Sequence, residues 1–263
     1  MAVGELEETD RTPSAAASAA YVYGVVRAAA APPVQASGIG GREVRAVPFQ
    51  ELAALSSVVP LPIRAKRREL LSHANVLNEA VAEATVVPMR FGAAFADADS
   101  IVRDFLRPRY AELCRLLEEL DGHVELMVKA FYREDAILAE IVRDEPRVAR
   151  LRGATRDRPA AATHAARIEL GSAVASALEA RTQADAAAIL DTLRPFAVDV
   201  HRDETAIEHQ VLRASVLVER RKVADVDAAM AALAERHAGR IQFKYVGPLA
   251  PHSFVSLTAG GSG

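Results

Sequence analysis

The stretch "HVELMVKAFY", His123 to Tyr132, sets Val124, Leu126, Val128 and Ala130 on one side of an extended chain, with mostly polar residues between them. A period of two predicts a strand with one buried face and one face that is wet or covered by a partner. The segments after it give the order of the second half. Residues 134–151 carry a helical pattern and "GATRDRP" breaks it. Residues 160–193 are a long helical stretch dominated by alanine. "AVDVHRDE" and "HQVLRASVLVER" read as two strands, "DVDAAMAALAERHAG" as a helix with a glycine stop, and "RIQFKYVGP" as the last strand. Strand, helices, strand, strand, helix, strand is the βαββαβ order of a ferredoxin-like unit, here with its first crossover enlarged into a helical hairpin. Alanine favours the helix strongly. The stretch is too poor in large apolar residues to be buried all round, so it reads as one arm of a helix pair standing off the sheet.

Upstream, "AAYVYGVVRA" reads as a buried strand and "AAAPPVQASGIGG" as a loop rich in proline, glycine and small residues. "REVRAVPF" is a second strand ending at Pro48, "QELAAL" a short helix, and "SSVVPLPI" a short strand. "RAKRRELLSHANVLNEAVAEA" is a helix, and steps of three and four put Leu70, Ala74, Leu77, Val81 and Ala84 on one face. "TVVPMRFGAAF" follows as a strand. Residues 97–120 are a second helix striped by Val102, Leu106, Tyr110, Leu113, Leu117 and Leu120, kinked or split by Pro108 and closed by the "DG" at 121–122. The fold class is therefore α+β in two domains. The expected division is a disordered tail at 1–19, an N-terminal α/β domain at 20–97, a connecting helix at 98–120, a C-terminal ferredoxin-like domain at 121–257 and a tail at 258–263.

Composition narrows the function. The chain has 263 residues with a net charge of -3, so there is no electrostatic case for nucleic acid or an anionic membrane. Aromatic residues are 5% and Trp is absent, which leaves little for stacking on bases. Cys114 is the only cysteine, which rules out an internal disulfide and suits a reducing cytoplasm. The first residues lack a signal peptide's basic start and apolar stretch, and no apolar run reaches the roughly 18 residues of a spanning helix.

Catalytic signatures are missing. The seven histidines make no HExxH pair, and no GxSxG elbow or P-loop is present. "GIGGR" at 38–42 lacks the GxGxxG form and reads as a turn. Glu118, Glu119 and Asp121 read as a solvated helix end, and Cys114 as a small packed residue. "RAKRRE" at 64–69 is either a solvated face or a surface for an acidic partner. No metal or cofactor is implied. "VVPMRFGAAF", Val86 to Phe95, carries the most unusual local chemistry. Pro88 cannot donate to a ladder, and Gly92 marks a bulge, so the strand is a bent edge. Arg90 is expected to fork onto Glu79 or Glu83 of the preceding helix, or else to meet a ligand or partner.

Three blocks carry a family resemblance. "YVYGVV", "HANVLNEAVAEATVVPMRFGAAF" and "FKYVGPLAPHSFV" resemble, in order and across Tyr21 to Val255, the gas vesicle protein F/L family (GvpF/GvpL). In the middle block His73, Pro88, Arg90, Phe91 and Gly92 match. In the last, Tyr245, Gly247, Pro248, Pro251, Ser253 and Phe254 match the pattern Tyr-x-Gly-Pro-Trp-Pro-Pro-Tyr-Ser-Phe, while Leu249, Ala250 and His252 depart from it. The resemblance implies a non-catalytic accessory of gas vesicle formation in the cytoplasm. It also implies two α/β domains, at least one ferredoxin-like, and partners that include the hydrophobic shell protein and other accessory proteins. The bent Pro88 strand and the strand at 123–132 are the expected surfaces, through sheet-edge pairing. The alternative is a small-ligand-binding regulatory protein in which Arg90 and the glycine-rich loop meet an anion. An enzyme using His73 and Arg90 is a third reading.

Overall fold

The computed structural model describes residues 17–203 and 207–255. Of the tail expected at 1–19, residues 1–16 lie outside them, as does the tail expected at 258–263, while Ser18 and Ala19 already belong to the first strand.

The first sheet is built from β1 (Ser18–Arg27), β2 (Arg45–Phe49) and β3 (Leu52–Pro60), followed by α1 (Arg67–Glu83) and two strand fragments, β4 (Val87–Pro88) and β5 (Ala94–Phe95). Its order is β2-β3-β1-β4, with β5 also on β1, and every pairing is antiparallel. Both faces are covered. Tyr21, Tyr23 and Val26 pack towards α1, with Val76, Leu77, Ala80 and Val81. Ala20, Val22 and Val25 pack the other way, against Ile101, Phe105, Leu113 and Leu117. The alternation slips by one residue because β1 carries a bulge between Val22 and Gly24.

The segment "QELAAL" is a strand here, not a helix. Gln50 takes a positive φ of 53° at the β2–β3 turn, and Leu52 to Leu55 are buried on both sides of the sheet. Burial between two covered faces overrides alanine's helical preference. The face of α1 is also rotated by one residue from expectation. Glu69, His73, Val76, Leu77, Ala80 and Val81 are buried, while Leu70 is exposed.

Pro108 splits the next helix as expected. α2 (Ala98–Ile101) passes through a π-turn, Val102–Leu106, before α3 (Tyr110–Glu119) begins. Asp97 caps α2 by accepting from the Ser100 N–H at 2.7 Å.

The second sheet holds β6 (His123–Tyr132), β7 (Ala197–Arg202), β8 (Gln210–Glu219) and β9 (Ile241–Leu249), in the order β7-β8-β6-β9. Between β6 and β7 run α4 (Glu134–Asp144), α5 (Pro146–Thr155) and α6 (His164–Leu193); α7 (Val223–Arg236) joins β8 to β9. Thus the strand, helices, strand, strand, helix, strand order is present. α6 has 30 residues, about 45 Å of helix. Its buried residues, Ala186, Ile189 and Leu193, all lie near its C-terminal end; the rest runs beside α5 as an arm. A charged cluster ties the foot of that arm. Arg240 donates to Glu140 and, at 2.7 Å, to Asp185; Arg181 donates to Glu140 and Glu145; and the Tyr132 hydroxyl donates to Asp185. The two arginines hold the Glu140 carboxyl below its ordinary range, Arg240 more than Arg181.

β6 is central in this sheet, so it offers no free edge, contrary to its expected use as a strand-accepting surface. The Glu125 end of its polar side is also covered, because the chain's last described residues leave β9 and cross to the first sheet. Ala250 finishes in the core under α1, and Val255 in the core under α3.

Candidate functional site

The bent segment after α1 is an edge, and its bend has a clear cause. β4 pairs Pro88 with Gly24, and β5 pairs Ala94 with Tyr21. The Met89 N–H donates to the Tyr23 carbonyl and the Val22 N–H to the Ala93 carbonyl, both at 2.8 Å. Arg90, Phe91 and Gly92 leave the ladder between these bonds. Gly92 has a φ of +101°, a backbone state that L side chains rarely adopt.

Three side chains from elsewhere in the sequence hold this loop. The His73 Nε2 lies 3.1 Å from the Met89 carbonyl, so it carries the proton and donates. That leaves Nδ1 as an acceptor, 2.8 Å from the Tyr21 hydroxyl. Tyr21 in turn accepts the Gly92 N–H at 3.1 Å. Gly92 to Tyr21 to His73 to Met89 is therefore one closed chain of neutral hydrogen bonds across the loop's base. Around it the rings of Tyr21, Tyr23 and Phe91 stand 5.6–5.8 Å from His73. Burial pushes His73 down to about 4, with the neighbouring His252 as the second cause. Tyr21 is pushed up, chiefly by burial. The Tyr23 hydroxyl accepts the Ile39 N–H at 2.8 Å and donates to Ser57 at 3.1 Å, which fastens the glycine-rich loop to the same cluster.

The last described residues close the site from the other sheet. The His252 ring lies 6.2 Å from that of His73, so an aromatic ring contact is made at this departure from the family pattern. Next to it Ser253 donates through both its N–H and its hydroxyl to the two oxygens of Glu125 on β6, at 2.9 and 2.8 Å, with Ser215 of β8 at 2.9 Å. Glu125 is only 4% exposed, and these bonds are what make its burial tolerable. Gly247 lets β9 lie close against β6 just before the tail leaves after Leu249. A Cβ at Gly247 would come within 2.4 Å of Leu126 Cδ2 and 3.1 Å of the Glu125 carbonyl.

His73, Phe91 and Gly92 thus come together, with Pro88 buried beside them and Pro251 and Phe254 in the crossing tail. Tyr245 does not join them; it faces the second core and donates to Asp227 of α7 at 2.8 Å. Arg90 corrects the sequence reading. It is exposed and makes no ion pair with Glu79 or Glu83. Glu79 instead accepts the N–H groups of Gln35 and Ala36 at 2.6 and 2.7 Å. Those two amides reach the carboxylate first, so Arg90 stands at the loop tip. The glycine-rich loop is spent in the same way, since the Gly40 N–H donates to Glu69 at 2.9 Å.

Tyr21, Tyr23, Glu125, Ser215 and His252 were not among the expected site residues. The signals were present: a Tyr-x-Tyr pair within a buried strand, and one acid in the otherwise apolar run "VELMV". Chemically, the cluster offers shape. Both His73 nitrogens are already bonded, and among the described residues no group of three metal-ligating side chains occurs. A crevice of about 470 Å³ between the two sheets is lined by Arg27, Glu83, Thr85, Glu118, Asp121 and Arg220. Its charges are mixed, and several of its groups are bonded across the wall: Arg27 to Glu118, the Thr85 hydroxyl to Asp121, and Arg220 to the Val81 carbonyl.

This architecture has solved counterparts. The crystal structure of the gas vesicle protein GvpF from Anabaena sp. PCC7120 superposes with a TM-score of 0.77 at 22% identity, covering 92% of this chain and 99% of that one. GvpF from Microcystis aeruginosa gives 0.72 at 20% identity, covering 91% and 99%. These likenesses establish the fold. The sequence goes further. Residues 19–256 match the family described as gas vesicle synthesis protein GvpL/GvpF, and the chain belongs to that family. It is 36% identical over 240 residues to gas vesicle protein F of Streptomyces sp. (strain CB03234), covering 89% of this chain and 98% of that relative. It is 30% identical over 257 residues to gas vesicle protein L of the same strain, covering 90% and 92%.

Proposed function

We propose that this chain is a non-catalytic accessory of gas vesicle formation, working in the cytoplasm beside the growing vesicle. Its partners in this reading are the hydrophobic shell protein and other accessory proteins. Family membership supports the pathway. The observation that carries the role is the use of the motif residues: they hold a bent sheet edge with an exposed arginine at its tip, and they leave no free nucleophile or base. A shell subunit that buries its apolar surface only in the finished wall needs a holder beforehand, and a sheet edge with a shaped tip suits that task. His73, Phe91 and Gly92 shape the surface, Pro88 keeps it an edge, and Arg90 meets the client. In the last block, Gly247, Pro248, Pro251 and Phe254 fix the crossing tail behind it, and Tyr245 fixes β9.

Co-expression of the tagged chain with the shell protein, followed by pull-down, tests the role. Retention of the shell protein is expected, with Arg90→Ala folded but retaining less. No retention by the unmodified chain would overturn the reading.

A further inference from the structure

The basic run "RAKRRELL", Arg64 to Leu71, takes no part in the cluster described above. It forms the loop after β3 and the first turn of α1. Four cations, Arg64, Lys66, Arg67 and Arg68, stand exposed around one carboxylate, Glu69. That carboxylate is already engaged by Arg68 and the Gly40 N–H. Arg64, Lys66 and Arg67 make no ion pair with any described residue. The patch therefore holds three unneutralised cations on a chain whose net charge is -3.

Large apolar side chains are exposed in the same place. Leu61 is 45% exposed, Leu70 44% and Leu71 53%. Lys66 and Arg67 lie one helical turn before Leu70 and Leu71, so charge and apolar surface share one face. A hollow of about 170 Å³ opens beside them, with Ile39, Pro60, Pro62 and Ile63 as its apolar wall and Arg64, Lys66 and the paired Arg68 and Glu69 at its rim. A hollow of that size takes one apolar side chain with carboxylates around it. A bilayer surface offers no such knob, so the concavity favours a protein.

We propose that the 61–66 loop and the outer side of α1 through Leu71 form a docking surface for an acidic, leucine-bearing helix of a protein partner. An apolar anchor fills the hollow or covers Leu70 and Leu71. Carboxylates one turn away meet Arg64, Lys66 and Arg67. This inference rests on the accessory-protein reading only in assigning a protein as the occupant.

The test is fluorescence anisotropy of the full chain with a labelled amphipathic peptide of leucine and glutamate. A leucine–glutamine peptide is the neutral control. The chain should bind the glutamate peptide about tenfold more tightly, with affinity falling as salt rises. The triple variant Arg64→Gln, Lys66→Gln, Arg67→Gln should lose that preference at a nearly unchanged thermal midpoint, since all three side chains are exposed and make no ion pair with a described residue. Leu70→Ser with Leu71→Ser should weaken both peptides. Equal affinity for the two peptides, or a triple variant that binds as before, overturns the proposal. So does binding of vesicles of phosphatidylglycerol and phosphatidylcholine in place of the peptide. Much tighter peptide binding after Glu5→Gln, Glu7→Gln, Glu8→Gln and Asp10→Asn would assign the surface to the chain's own acidic start instead. Because the probe is a synthetic peptide, failure here leaves the shell-protein pull-down untouched, and failure of the pull-down leaves this surface testable.

Discussion

Two polar clusters tie the chain together, and they are made of opposite materials. At the first sheet, Tyr21, His73, Gly92 and Met89 form a neutral chain of hydrogen bonds inside a ring of aromatics. Behind the second sheet, Arg240, Arg181, Glu140 and Asp185 form a charged network at the foot of α6. The neutral cluster is deeply buried, with His73 only 5% exposed; the charged side chains stay 16–25% exposed. Full burial penalises unbalanced charge, so the base of the bent loop uses neutral donors and acceptors, and the one carboxylate buried at the tail crossing, Glu125, is met by two donors of Ser253. The half-open foot of the arm tolerates ions. The two clusters should therefore fail under different conditions.

The largest effect is expected from Tyr21→Phe. It removes one hydroxyl, strands the buried His73 Nδ1 and loses the bond to the Gly92 N–H, so unfolding free energy should fall by about 3 kcal/mol in urea titration. Acid should act next. His73 titrates near 6.5 when unfolded and at about 4 when folded, so the folded state resists protonation. Its stabilisation is complete above pH 6.5 and is lost as pH falls towards 4, by roughly 3 kcal/mol in all. Denaturant titrations across that range should show the slope, and His73→Gln should flatten it. Glu140 is depressed in the folded state, so its contribution fades only at lower pH, through the acid end of the carboxylate range. Glu140→Gln leaves Arg240 with Asp185 alone and should cost about 2 kcal/mol at neutral pH, seen as a lower thermal midpoint. Ser253→Ala should cost about 1 kcal/mol, because the Ser253 N–H still serves Glu125. Arg90→Ala should lie within about 0.5 kcal/mol of the unmodified chain by the same measurement, since its side chain is exposed and unpaired.

Local periodicity made much of the fold legible. The alternation from Val124 to Ala130, the Pro108 split and the alanine-rich arm can each be read within a short window. Failures came where a long-range partner decides. "QELAAL" is a strand because two covered faces bury it, and the face of α1 turned because Glu69 and His73 point inward to bond Gly40, Met89 and Tyr21. A hydrophobicity stripe counts those two polar residues as outward. The site was legible as motifs, not as a place. His73 and His252 are 179 positions apart in the chain (252 minus 73), and only the tail's crossing from β9 brings their rings together. Arg90 failed for the same reason, because two backbone amides of a distant loop had taken Glu79.

The most direct test of this account is a nitrogen-15 NMR titration of the His73 imidazole in the folded chain. The ring is expected to stay neutral and protonated at Nε2 from neutral pH downwards, with its midpoint at about 4. A midpoint near 6.5, or a proton resident on Nδ1, would contradict it.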